Sequence, residues 1–136
     1  MYSPTMPQFL RAAVVDRSFL AHNVYATLLK PLGFSLFSFQ TLKELKESFN
    51  PKWNANFFLI NSNAFVGSKE KYLEWFQKEK SLKAIPKVFI CEADGKKWLG
   101  HPFGMVSELK KIPNSHFLTK PFYPPEFGEK VKKLCR

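Results

Sequence analysis

Four polar side chains in this sequence each stand at or just beyond the end of a short apolar run: Asp16, Asn61, Cys91 and Lys120. An aspartate is a hard oxygen ligand for a divalent cation, and an asparagine is a hydrogen-bonding amide. A cysteine brings a thiol that donates only weakly, and a lysine brings a positive charge for an oxyanion. In an open parallel α/β sheet the loops beyond the carboxyl ends of the strands converge on one crevice. If the runs are strands of such a sheet, these side chains meet there, with Arg17 next to Asp16 in the chain.

The pattern of apolar residues supplies the elements that would position them. FLRAAVVD, residues 9–16, is a nearly continuous apolar run, as expected of a strand covered on both faces. From Ser18 the spacing lengthens, and Leu20, Val24 and Leu28 predict one face of a helix that Pro31 and Gly33 stop. Residues 35–39 form an alternating strand. Thr41 and Glu44 then stand as a capping box, opening a helix through Leu42, Leu45 and Phe49 before Pro51. The run 56–61 reads as the central strand. After a loop at 62–68, a helix carries Tyr72, Leu73 and Phe76, with Trp75 on its flank.

Pro86 introduces KVFIC as a fourth strand, and residues 116–119 form a fifth ahead of Lys120 and Pro121. A last helix presents Phe127, Val131 and Leu134. Between the fourth and fifth strands, Gly95, Gly100, Pro102 and Gly104 break any helix that starts before Met105, leaving a short one over 105–111. Strands alternating with helices at this spacing predict a three-layer α/β sandwich of five βα units. Its five-stranded parallel sheet would have right-handed crossovers and the flavodoxin-like order 2-1-3-4-5.

Composition sets the outer limits. At 136 residues the chain is the size of one domain, expected over 9–136 behind a flexible N-terminal tail at 1–8 that holds Pro4 and Pro7. Apolar residues make up 45% of the chain and fifteen are Phe, ample for one core. No apolar run is long enough to span a bilayer, and the start lacks a signal-peptide core, so a cytoplasmic protein is expected. Cys91 and Cys135 form neither a disulfide framework nor a metal-ligand spacing. His22, His101 and His116 stand far apart and are assigned no chemistry.

The net charge of +10 admits a basic module for nucleic acid or an anionic surface, built on Lys96, Lys97, Lys110, Lys111, Lys130, Lys132 and Lys133. The lysines are scattered, however, and many alternate with Glu at helical spacing. Arginine, the better reader of phosphate and guanine, occurs only at Arg11, Arg17 and Arg136. Solvated helix faces account for such a distribution. An acidic protein partner would use the same field.

The acid after the first strand, the polar residue after the third and the Lys-Pro after the fifth resemble the receiver domain of two-component response regulators. LLKPLGF after the first helix is also similar to that family's approach to its second strand. In the family, two acids after the first strand and an acceptor Asp after the third hold Mg²⁺. A Ser or Thr after the fourth strand and a Lys after the fifth bind the phosphoryl oxygens. On that pattern Asp16 keeps the first acid, Arg17 replaces the second, Asn61 replaces the acceptor, Cys91 replaces the hydroxyl residue and Lys120 is retained.

Each replacement has a chemical meaning. An amide oxygen is too weak a nucleophile to take a phosphoryl group. One carboxylate beside a guanidinium is a poor magnesium site, so neither metal nor cofactor is expected. Lys120 and Arg17 are instead expected to reach toward Asp16 and pair with it, and Asn61 to hydrogen-bond neighbouring loop amides.

The resemblance therefore implies a degenerate receiver, a non-enzymatic signalling module that acts on a protein partner without phosphorylation. The family's usual partner face, made by its fourth helix, fifth strand and fifth helix, would carry Lys110, Lys111, Phe117, Phe127 and Lys130. A further reading keeps the receiver phosphorylatable through Glu92 or Asp94, although neither ends the central strand.

Overall fold

The structure is a computed structural model that describes residues 10–65, 69–91, 97–98, 101–102, 108–119 and 124–134. For Cys91 and the pairs 97–98 and 101–102 only the backbone is described. The elements in chain order are β1 (Leu10–Val15), α1 (Phe19–Leu29), β2 (Phe34–Phe39), α2 (Leu42–Ser48) and β3 (Phe57–Asn61). They continue with α3 (Lys69–Lys78), α4 (Lys80–Lys83), β4 (Lys87–Cys91), β5 (Lys97–Trp98), β6 (His101–Pro102), β7 (Ser115–Thr119) and α5 (Pro124–Leu134). Residues 108–110 are helical as well.

Five strands pair in parallel in the order β2-β1-β3-β4-β7, the flavodoxin-like order with β7 as fifth strand. The expected sheet is thus present, with β3 at its centre. The irregular connection after β4 contains one antiparallel pairing, β5 with β6, that the glycines and prolines there concealed. The short α4 was also unexpected, since residues 80–83 carry only Leu82 as an apolar anchor.

Each central strand alternates its side chains between two apolar layers. Ala13, Val15, Phe58, Ile60 and Phe89 face a layer closed by Leu42 and Leu45 of α2, by Tyr72, Leu73 and Phe76 of α3, and by Leu109 and Ile112. Ala12, Val14, Phe57, Leu59, Val88 and Ile90 face the other, closed by Tyr25 and Leu29 of α1 and by Phe127 and Val131 of α5. The first layer is rich in rings: Trp53 stacks on Phe37 at 4.6 Å, and Phe49 meets Trp75 edge-on at 6.0 Å. Burying one such side chain contributes about 1.5–3 kcal/mol.

Local signals act where expected at α2, where the Thr41 hydroxyl accepts from the Glu44 N–H at 3.1 Å. Gly33, at φ 96°, ends the turn after α1 in the left-handed region that an L side chain avoids, and so delivers the chain into β2.

One expectation fails at α1. Leu20, Val24 and Leu28 were expected as its buried stripe, but Tyr25 and Leu29 are the buried pair. Leu20 is 76% exposed and Val24 53% exposed, beside Phe19 at 73%. The sequence of α1 has apolar residues on all sides, so periodicity alone admitted two stripes.

At the opposite end of the sheet from the candidate site, Lys87 is fully buried. Its ammonium donates to the carbonyls of Leu82 and of Pro113, the latter at 2.9 Å, and so ties α4 to the turn before β7. Burial lowers its pKa from 10.5 to about 8.

Candidate functional site at the carboxyl ends of the strands

Asp16 leaves β1 with its backbone N–H still bonded to Phe39 O at 3.1 Å, so its position is set by the sheet. Its side chain is 1% exposed. A carboxylate taken out of water is costly unless donors surround it, and here they do. The backbone N–H of Ser18 donates to Oδ1 at 2.9 Å, while the Ser18 hydroxyl accepts from Ala21 N–H at 3.3 Å and caps α1. Tyr25 O–H and Asn61 Nδ2 both donate to Oδ2, at 2.8 and 2.9 Å. Asn63 Nδ2 lies 3.5 Å from Oδ1. His22 Nε2 donates to the backbone carbonyl of Asp16 at 2.8 Å, which leaves its buried Nδ1 without a hydrogen-bond partner.

Asn61 ends the central strand and is 3% exposed. Its amide is oriented by its neighbours: Oδ1 accepts from the Asn63 backbone N–H at 3.1 Å, while Nδ2 faces Asp16. Turning the amide over would set oxygen against carboxylate and N–H against N–H, so the network admits one orientation. Asn61 therefore serves the loop amide and Asp16 at the same time.

These contacts decide how the site would treat a divalent cation. Both oxygens of Asp16 already face N–H or O–H donors, and the group of Asn61 nearest to Asp16 is itself a donor. Magnesium requires several oxygen ligands around one point. The described side chains present one carboxylate whose lone pairs are in use, and no group of three or more His, Cys, Asp or Glu suited to a metal occurs among the described residues. The described residues do not fit the ion.

Arg17 was expected to pair with Asp16 and does not. Among the described residues the only ion pairs are Lys69 with Glu108 and Lys78 with Glu74. Arg17 is exposed and borders a shallow hollow with Gln40, Thr41, Lys43 and Tyr72. Neutral donors already fill the surroundings of Asp16, so the guanidinium keeps its water. The backbone of Cys91 pairs with Thr119 at the end of β4, but its side chain lies outside the described residues. So do Lys120, Glu92, Asp94 and the tail at 1–8.

Sequence reasoning missed Tyr25, Ser18 and Asn63 as members of this site. Sequence signals marked only their local roles, Ser18 as a residue type suited to cap α1 and Tyr25 with Leu29 as an i, i+4 pair on it, and none pointed to Asp16.

The expected partner face is only partly a surface. Phe127 is fully buried in the layer beneath α1 and α5, because the apolar stripe that carries it is the stripe α5 turns to the sheet. Phe117 is half-buried with its ring 5.8 Å from Phe89. Lys110 and Lys111 are exposed. Lys130 lines a groove between β7 and α5 with His116, Glu126, Glu129 and Lys133. Burial and the charges of Lys130 and Lys87 lower the pKa of His116.

No protein-family model matches the sequence, and neither does any curated protein. Solved structures do match. A receiver domain of a sensor histidine kinase from Pseudomonas aeruginosa, with a magnesium ion coordinated in its active-site cleft, superimposes with a TM-score of 0.71 at 12% identity, over 93% of this chain and 97% of that one. A chemotaxis response regulator of Vibrio cholerae gives 0.70 at 15% identity, over 93% and 99%. The signal receiver domain of an HD domain-containing protein from Pseudomonas fluorescens gives 0.72 at 12% identity, over 99% and 93%. At such identities the likeness concerns architecture, and the chain has the fold of a receiver domain.

Proposed function

We propose that this chain is a pseudo-receiver, a non-enzymatic signalling module that binds a protein partner independently of phosphorylation. One observation carries the reading: Asn61, at the end of the central strand, turns its amide N–H onto Asp16 Oδ2 at 2.9 Å. The position that would need a nucleophilic carboxylate holds a hydrogen-bond donor, and the donor occupies the remaining acid. Tyr25 and Ser18 complete the enclosure, so the loop after β1 is held by uncharged donors on the Asp16 carboxylate where a metal ion would otherwise bridge charges. The receiver fold supports a role in signalling. No helix among the described residues is long and apolar enough to cross a membrane.

The test is an amide NMR titration with Mg²⁺ followed by beryllofluoride, an aspartyl-phosphate mimic that needs acceptor, metal site and lysine together. Unchanged resonances for residues 16–18 and 61–63 support the proposal. Large saturable shifts there would identify a working phosphoreceiver and overturn it.

A further inference from the structure

The two edges of the sheet are unlike. An edge strand presents backbone N–H and C=O groups without partners, and proteins commonly blunt such edges with charge, proline, bulges or short length. Beside β7 the groove is lined by Glu126, Glu129, Lys130 and Lys133. At the other edge β2 reads FSLFSF, with no charge, proline or glycine. Its register with β1 is continuous from Phe34 to Phe39, without a bulge. Trp53 extends the apolar flank, stacking on Phe37 at 4.6 Å and on Phe39 at 5.9 Å. Ser35 and Ser38 are exposed while Leu36 and Phe37 are half-buried, so the strand lies at the surface.

One hydrogen bond tells which groups of β2 face outward. Phe39 O accepts from the Asp16 N–H, so Phe39 turns its backbone groups toward β1. The direction alternates along a strand, so Ser35 and Phe37 face β1 as well, whereas Phe34, Leu36 and Ser38 point their N–H and C=O outward. Among the described residues no hydrogen bond reaches those outward groups.

The three outward residues are symmetric about Leu36. Were a second copy to add its β2 antiparallel, about a two-fold axis along the sheet normal at Leu36, Leu36 would lie opposite its own copy and Phe34 opposite Ser38. All of these are hydrogen-bonded pairs that exchange both bonds, so every outward group is satisfied. A pairing shifted by two residues leaves Phe34 or Ser38 without a partner. The same axis keeps each helical layer on its own side, with Leu36 meeting Leu36 in one layer and Ser35 meeting Phe37 in the other. The symmetry resides in the strand itself, and it closes: once two β2 edges are joined, only the charge-bordered β7 edges remain. The net charge of +10 on each copy opposes the contact, but none of it is carried by β2, and salt screens it.

We infer that this chain forms a two-fold dimer by antiparallel pairing of β2 with β2 of a second copy, which joins the two sheets into one. The inference is independent of the reading of the Asp16 site, since the outward groups of β2 face away from β1.

The test is sedimentation equilibrium of the full chain from about 10 µM to about 1 mM. One strand is a small contact beside the ~800 Å² per partner of a standard interface, so half-dimerisation is expected within that range, and at lower concentration as salt rises. Hydrogen exchange at the Phe34, Leu36 and Ser38 amides should slow as concentration increases. Leu36→Pro removes an outward N–H without touching the ladder to β1, and Ser38→Lys places a charge on the edge at an exposed position. Each should weaken dimerisation by about tenfold or more, and Ser38→Lys keeps the test decisive should the proline variant fail to fold. A monomer at about 1 mM, dimers that form equally well in both variants, association that weakens as salt rises, or growth beyond the dimer would each overturn the inference. Protection of residues 34, 36 and 38 that does not change with concentration would overturn it in favour of a segment of the same chain lying on the edge.

Discussion

The side-chain amide of Asn61 donates to Asp16 Oδ2 across 2.9 Å, joining the end of the central strand to the loop after its neighbour. Replacing Asn61 with aspartate would exchange that donor for a second negative charge at the same distance. Without divalent cations, Asn61→Asp should destabilise the fold by roughly 2 kcal/mol or more, from the lost bond and the like-charge contact. Mg²⁺ should recover part of the loss in the variant and leave the parent unchanged. Urea unfolding in EDTA and in millimolar Mg²⁺ measures both; equal stabilities in EDTA would contradict the role given to Asn61.

Tyr25 supplies the second donor to the same oxygen, at 2.8 Å. Tyr25→Phe keeps the ring in its layer and removes only the hydroxyl. Since the acceptor is a carboxylate, the expected cost is about 1.5–3 kcal/mol, measured by chemical denaturation. Asp16→Ala should cost at least as much, because it removes the acceptor of Ser18, Tyr25 and Asn61 together. Unchanged stability and partner binding in Asp16→Ala would reduce this aspartate to an inherited scaffold residue.

Lys87 makes stability depend on pH. Its pKa in the fold is about 8 against an ordinary 10.5. Below pH 8 both folded and unfolded chains hold the proton, and the fold bears the full cost of a buried ammonium. Between these values the unfolded chain retains a proton that the fold has released, so stability rises with pH across this window. The neutral amine still has two N–H groups for the carbonyls of Leu82 and Pro113. Relative to Lys87→Met, the parent should therefore gain stability from pH 8 to 10.5. A flat difference in unfolding free energy over that range would refute the assignment.

Phe127 and Phe117 should separate in their response to truncation. Phe127→Ala opens a void in a fully buried position and is expected to cost about 3–5 kcal/mol. Phe117→Ala, at a half-buried position on the edge strand, should cost clearly less. Thermal unfolding of the two variants compares them directly; a small loss for Phe127→Ala would return that residue to the surface.

What the chain declared in advance follows from where pattern and packing agree. The apolar run before Asn61 could only be a strand covered on both faces, and Tyr72, Leu73 and Phe76 lie on a helix whose other positions are mostly charged, so one stripe was possible. In α1 no charge marks the outer side, and the buried stripe was settled by a contact that spacing does not encode, the reach of Tyr25 to Asp16. Lys87 was hidden for a related reason. A lysine reads as solvent-exposed, and only the assembled carbonyls of residues 82 and 113 make a buried place for it. Asn61 was legible as the polar residue that ends the central strand, but its attachment to Asp16 was not, because the two stand 45 positions apart in sequence.

The order of residues in β1 gives its polar ends a task of their own. Ala12 and Ala13 are followed by Val14 and Val15, and the two members of each pair face opposite layers. A slip of one residue turns every side chain to the opposite layer, yet each layer would again receive one alanine and one valine, so the composition of the strand discriminates only weakly against the error. Asp16 would notice, since its carboxylate would swing away from Tyr25 and Asn61 into the opposite layer. At the other end Arg11 binds Asn56 Oδ1 through its N–H at 2.8 Å and Trp53 O through its guanidinium at 2.8 Å, and it would lose both. Asp16 thus favours one alignment of β1 between its neighbours β2 and β3.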